Sequence, residues 1–336
     1  MRSVALGVAL FFGAAVGCQR SDEVVVYTAL DREFSEPVLQ RFQEDTEIKA
    51  LPKYDVESTK TVGLTQAIIS EANRPRCDVF WNNEILNTLR LKKLGLLEAY
   101  DSPAAAPYPP TFKSKDNTWF GFAGRGRILL VNKELLGEQD PPTSIQDFVQ
   151  ERYKGKCAIA KPLFGTTATH VACLFATLGE QTAKELLLAM KANDVQVLGG
   201  NKQVAEAVSS GRILFGLTDT DDAIVEIEKG RPVEIVYPDQ GESEPGMLFI
   251  PNTVAIIRGG PNPQSARQLV DYVLSPDSET MLAAGGSSQI PLNPEVTARP
   301  RVKTPAEVKA MQVDFEAAAE HWEAAMKFVE AEFLSP

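Results

Sequence analysis

Short apolar runs alternate with longer stretches of helical period along most of the chain. EVVVYTAL reads as a buried strand, and EFSEPVLQRFQED follows as an amphipathic helix with Val38, Leu39 and Phe42 on one face. EIKALP, TVGLTQAIISEAN, CDVFW and EILNTLRLKKLG then read as strand, helix, strand and helix, the last closed by Gly95. The Pro-rich stretch DSPAAAPYPPTFK, residues 101–113, reads as an irregular surface segment, and GFAGRGRILLVN opens a fresh strand. A second alternating block follows: strand CAIA, helices TATHVACLFATLG and AKELLLAMKAN, strand VQVLG, helix QVAEAVSSG and strand ILFGL. GMLFIPNTVAII looks like a return strand before helix PQSARQLVDYVLS, and the tail from Pro305 to Phe333 reads as helical throughout. Such alternation predicts an α/β fold with doubly wound, mostly parallel sheets. On sheets of that kind ligands bind in the loops that lead from strands to helices.

Composition narrows the partners. With 336 residues, 44% of them hydrophobic, the chain is long enough for about two domains with a sizeable core. A net charge of -11 leaves no basic patch for nucleic acid or for an anionic membrane surface. The amino terminus pairs Arg2 with an apolar run from Val4 to Val16 and small residues before Cys18, the pattern of a secretory signal over residues 1–17. That run is shorter than the roughly 20 apolar residues a membrane-spanning helix needs. AAVGC resembles a bacterial lipobox, which implies lipidation of Cys18 and a tether over residues 18–22; Ala15 stands where a leucine is usual.

The chemistry-bearing residues are few. Cys77, Cys157 and Cys173 remain after Cys18, permitting one disulfide plus a thiol or three buried thiols. Only His170 and His321 are present, without zinc-ligand spacing. No G-x-S-x-G, G-x-x-x-x-G-K-[ST] or H-E-x-x-H occurs, so the chain is expected not to be an enzyme. The most conspicuous stretch is GLTDTDDA, which sets Asp219, Asp221 and Asp222 behind an apolar strand. One reading makes Thr218 a helix N-cap with Asp221 completing a capping box. The other places the three carboxylates in a strand-to-helix loop where a ligand sits.

At VVVYTALDREFSEPVLQRFQEDTEIK, DVFWNNEI, GFAGRGRILLVN, LFGTTATH, GGNKQVAEAVSSG and IPNTVAII the chain resembles the extracellular solute-binding proteins of bacterial ABC importers (family 1), in particular the group containing the periplasmic ferric-binding proteins. The resemblance implies a type II two-lobe fold with a ligand cleft: lobe one over 23–127 plus 246–293, lobe two over 128–245 plus 294–336. It further implies a protein that acts as a monomer on the periplasmic or cell-surface side, anchored by its N-terminal lipid, and passes cargo to a permease and its ATPase. No cofactor is implied; an Fe(III)-type ion, with an anion, would be cargo.

Ferric members hold iron with a histidine, a glutamate and two adjacent tyrosines. Those positions fall here on Asp31, Asn83, Asp221 and Asp222, none of them the family's residue type, while a shift of one residue restores the glutamate as Glu84. Carboxylates and amides suit harder cations than phenolates do. Asp31, Glu84, Asp221 and Asp222 are therefore the candidate metal ligands. The family's anion-binding loop falls on Gly165, Thr166 and Thr167, with Asn201 nearby; each has a helix cap as its simpler reading. Ser58, Thr59 and Lys60 stand at the entry to a lobe-one helix and face the same cleft on this reading, with Arg125 and Arg127 available for charge balance. Two alternatives stay open: a secreted enzyme using paired carboxylates such as Glu84 and Asp222, and a ligand-binding lipoprotein that serves a sensor.

Overall fold

Valines dictate the first strand. In β1 (Glu23–Thr28), Val24 and Val26 are fully buried on one face and Tyr27 on the other, the alternation of a strand covered on both sides. The computed structural model describes residues 22–55 and 62–335; Cys18, Ser58, Thr59 and Lys60 lie outside the described residues. The first half continues with α1 (Arg32–Thr46), β2 (Lys49–Tyr54), α2 (Val62–Ser70), β3 (Val79–Asn82), α3 (Leu86–Lys93) and the two-residue β4 (Leu97–Glu98). Two short 3-10 turns occupy the Pro-rich segment, at Pro103–Ala105 and Pro110–Phe112. After β5 (Phe120–Asn132) come α4 (Lys133–Leu136), β6 (Cys157–Ala160), α5 (Gly165–Leu178), α6 (Glu180–Ala192), β7 (Gln196–Leu198), α7 (Asn201–Ser209), β8 (Phe215–Asp219), α8 (Thr220–Glu228) and β9 (Val233–Val236). The chain returns through β10 (Phe249–Ile257), α9 (Pro263–Val273) and α10 (Pro276–Ala284), and ends in α11 (Phe315–Phe328).

The strands join in the order β2-β1-β3-β10-β5-β8-β6-β7, with β4 on β10 and β9 on β5. The outer trios β2-β1-β3 and β8-β6-β7 are parallel, whereas β10 and β5 run antiparallel to their neighbours, so the sheet is mixed where a mostly parallel one is expected. β5 carries the join. Its residues Phe120–Gly126 pair with β10, and from Arg127 onward it pairs with β8. All thirteen residues of β5 are buried. Gly126 sits at the change of partner, where a Cβ would come within 2.6 Å of the Met247 sulfur. One apolar layer packs α1, α9 and α10 on the β1-β3-β10 half, and another packs α7 and α8 on the β6-β8 half. On the opposite face a continuous layer covers both halves and takes in α5, α6 and α11.

The tail corrects its expectation. Helix begins only at Phe315, capped by the Asp314 carboxylate, which accepts from the Glu316 and Ala317 N–H groups. Upstream, the backbone is engaged elsewhere: Met247 N–H donates to the Lys309 carbonyl and Met311 N–H to that of Met247. Those long-range bonds, with Met311 buried beneath them, override the helical propensity of PAEVKAM. Cys77, Cys157 and Cys173 are unpaired and buried, and burial pushes the Cys157 thiol up to about 12.

Candidate functional site

The helices α5, α7 and α8 all start where parallel strands of the second half end, which brings three helix N-termini to one edge of the sheet. Gly165 opens α5 with φ of +53°, a left-handed conformation that a β-branched residue resists. The residue before the helix, Phe164, gives no side-chain cap, so Thr166 and Thr167 do not cap α5. Their hydroxyls turn into a buried polar cage instead.

Arg127 is the centre of that cage. It lies directly opposite Asp219 in the β5–β8 ladder and is fully buried. Its Nη1 donates to Asp219 Oδ1 at 2.6 Å, to Asn201 Oδ1 at 3.0 Å and to Thr166 Oγ1 at 3.2 Å, while Nη2 donates to Thr167 Oγ1 at 3.0 Å. Thr166 Oγ1 and Asn201 Nδ2 donate in turn to Asp219 Oδ2, at 2.6 and 3.0 Å. Asn201 is thus a network residue, and α7's own N-cap is Gly200. Removing either charge of such a buried pair costs about 3–5 kcal/mol.

Two strand residues earlier, Arg125 repeats the theme. Its Nη1 is 3.3 Å from Asp221 Oδ2, and Nη2 donates to Asn252 Oδ1 at 2.8 Å. Asp219, Asp221 and Asp222 bring carboxylate oxygens within 4.8 Å of one another, a spacing that a cation can bridge. The capping-box reading of this stretch fails: Thr218 lies in β8 with its hydroxyl on the Asn201 carbonyl, and Asp219 precedes α8 without a side-chain cap bond. Asp31 is the residue before α1, on the other half of the sheet. Lys202 of α7 lies 3.7 Å from Glu33 of α1, so the starts of these two helices face each other.

Glu84 does not join the aspartates. Its carboxylate is fully buried and accepts from Leu86 N–H at 2.5 Å, Asn87 N–H at 3.0 Å, Asn82 Nδ2 at 2.8 Å and Thr169 Oγ1 at 2.8 Å. Both oxygens are taken by the start of α3 and by α5, which removes it as a metal ligand and as the acid or base of a carboxylate enzyme. Burial raises its pKa, opposed by these hydrogen bonds. Beside it, Asn83 is buried with its Oδ1 lacking a partner among the described residues, as are Thr28 Oγ1 and Trp81 Nε1 at the ends of β1 and β3. His170, one turn along α5 from Thr166, is buried, with neither nitrogen bonded among the described residues. Burial first, and the Arg127 charge second, push its pKa down to about 3, so it stays neutral.

The site can bind and orient; among the described residues its groups supply no paired nucleophile and base. A family model for bacterial extracellular solute-binding proteins matches residues 87–320. The chain belongs to this family. The major ferric iron-binding protein of Neisseria meningitidis serogroup A is 24% identical over 297 residues, covering 87% of each chain. Iron-bound HitA from Pseudomonas aeruginosa superposes with a TM-score of 0.83 at 22% identity, over 92% of this chain and 99% of its own. The periplasmic binding protein AfuA from Actinobacillus pleuropneumoniae, solved with fructose-6-phosphate bound, gives 0.83 at 24% identity over 94% and 99%. The fold is therefore that of the type II periplasmic binding proteins, and the family is one of binding proteins, not enzymes. No helix among the described residues is long and apolar enough to cross a membrane.

Sequence reasoning offered Arg125 and Arg127 only as charge balance and missed Asn252, Thr169 and His170. Asn252 had a signal: an amide inside the otherwise apolar IPNTVAII requires a buried partner. Thr169 and His170 had none beyond their place in the first turns of α5.

Proposed function

We propose that this protein is the solute-capturing component of an ABC importer, tethered through a lipidated Cys18, which closes two lobes on its cargo and presents it to a permease driven by an ATPase. The lobes are those of the family, 23–127 plus 246–293 and 128–245 plus 294–336, with the site between them. The cargo carries a cationic centre, first a metal ion of the Fe(III) type, held by Asp221 and Asp222 from α8, with Asp31, just before α1, as the ligand from the other lobe. One observation carries this reading: three aspartate carboxylates converge within 4.8 Å at a strand-to-helix edge, with Arg125 beside Asp221 and Arg127 beside Asp219. The naming of the Neisseria relative and of HitA for iron supports the same class.

Metal analysis of the purified mature protein, followed by a thermal-shift titration with Fe(III) and other cations, tests it. Binding restricted to the folded state raises the melting temperature with cargo concentration. The gain should vanish in Asp221→Ala/Asp222→Ala, over and above the drop in unliganded melting temperature expected from stranding Arg125, the buried partner of Asp221. A lower melting temperature with unchanged cation affinity would reduce these aspartates to structural residues.

A second reading, a hydroxyl-bearing organic solute, is favoured by Thr28, Trp81 and Asn83, whose buried polar atoms want partners. A thermal shift with polyols or sugar phosphates and none with any cation would select it.

A further inference from the structure

Asp219 occupies an unusual position for a carboxylate in a binding site. Donors from three other elements close on its two oxygens: Arg127 Nη1 on Oδ1, Thr166 Oγ1 and Asn201 Nδ2 on Oδ2. Thr167 completes the ring by bonding both Arg127 and Asn201. A guanidinium, hydroxyls and an amide converging at the start of a fourteen-residue helix form a receptor for a tetrahedral or planar oxyanion. Here that receptor is filled by the chain itself. Its donor capacity also exceeds what one carboxylate takes, since the fully buried Arg127 keeps its Nε–H without an acceptor among the described residues. The filling is fixed by the fold, because Asp219 stands opposite Arg127 in the β5–β8 ladder and cannot leave without breaking that register.

We propose that Asp219 is a tethered anion that sets ligand specificity: it closes the oxyanion receptor formed by Arg127, Thr166, Thr167 and Asn201. The protein therefore captures its cargo without a free phosphate, carbonate or carboxylate beside it. The claim deepens the cation reading above but does not depend on it, because the receptor is tested without cargo. Asp219→Ala deletes the internal anion and leaves the donors in place, so inorganic phosphate can enter. Asp219→Asn keeps the volume filled and keeps phosphate out.

The test is a thermal-shift titration with inorganic phosphate on chelator-treated protein, with chloride at matched ionic strength as control. Asp219→Ala should show a saturable rise of about 3–6 °C, and wild type, Asp219→Asn and Arg127→Met/Asp219→Ala should show none. Because Asp219→Ala leaves a buried guanidinium uncompensated, it is also refolded with and without phosphate; recovery of native circular dichroism only with phosphate counts as support. A phosphate response in wild type would overturn the proposal, showing that Asp219 does not close the receptor. So would a folded Asp219→Ala that ignores phosphate, or one that phosphate fails to refold. If Asp219→Ala takes phosphate but no protein takes a cation, the receptor stands and the cargo reading falls.

Discussion

Glu84 separates two views of this site, because sequence position makes it a metal ligand and the structure makes it a clasp. Glu84→Ala removes the acceptor of four donors. Asn82 and Thr169 can turn toward other partners, and Asn82 already has Thr88 Oγ1 at 3.2 Å. The Leu86 and Asn87 N–H groups cannot, since they are fixed at the buried start of α3. Each backbone donor stranded in this way costs about 1–3 kcal/mol, so the variant loses roughly 2–6 kcal/mol. At about 2 °C per kcal/mol for a chain of this size, the melting temperature falls by roughly 4–12 °C. Glu84→Gln keeps one acceptor oxygen and should lose less. Cargo affinity, titrated well below both melting temperatures, should stay within about threefold, under 1 kcal/mol. An unchanged melting temperature with affinity reduced more than about tenfold would refute the clasp and return Glu84 to the ligand set.

Two further outcomes are expected. Burial raises the Asp239 carboxyl from 3.8 to about 6, although Ser144 Oγ and Ile145 N–H donate to it at 2.5 and 3.1 Å. The folded state thus holds this proton more tightly than the unfolded chain does. The resulting stability is fully present below about pH 4 and is lost as pH rises through about 6, a decline of up to about 3 kcal/mol that Asp239→Asn should abolish. Parallel denaturation midpoints against pH in the two proteins would contradict it. Cys18→Ala should move the protein from the membrane fraction to the soluble periplasmic extract; retention in the membrane would mean that another segment anchors it.

Local pattern carried much of the fold. β1, β3, β6 and β8 are apolar runs bounded by polar turns, and α1 buries Val38, Leu39 and Phe42 as its period requires. What escaped depends on contacts distant in sequence. β4 is two residues long and owes its pairing to β10, and residues 305–314 give up a helix because Met247 claims their backbone. The site divides in the same way. Gly165, Thr166, Thr167, Asn201 and the aspartates all lie at the predicted strand-to-helix edge. No spacing rule shows that Asp219 would meet an arginine ninety-two residues away, because that meeting is a property of ladder register. The saturation of Glu84 was equally hidden, since Thr169 arrives from the other half of the sheet.

The strand that joins the two halves is paired with β10 up to Gly126 and with β8 from Arg127, and its ladder with β10 shifts register at Ala123. Relative movement of the halves must then bend or twist a ladder, so β5 behaves as a leaf spring and not as a pin between loose loops. Arg125 and Arg127 ride on the flexing part of that spring, one on each side of Gly126. Any change in its curvature re-aims both guanidiniums at once against Asp221 and Asp219. If the halves close on cargo as proposed, capture and release are geared to the shape of one strand, and a packing change under β5 would retune affinity without touching the site itself.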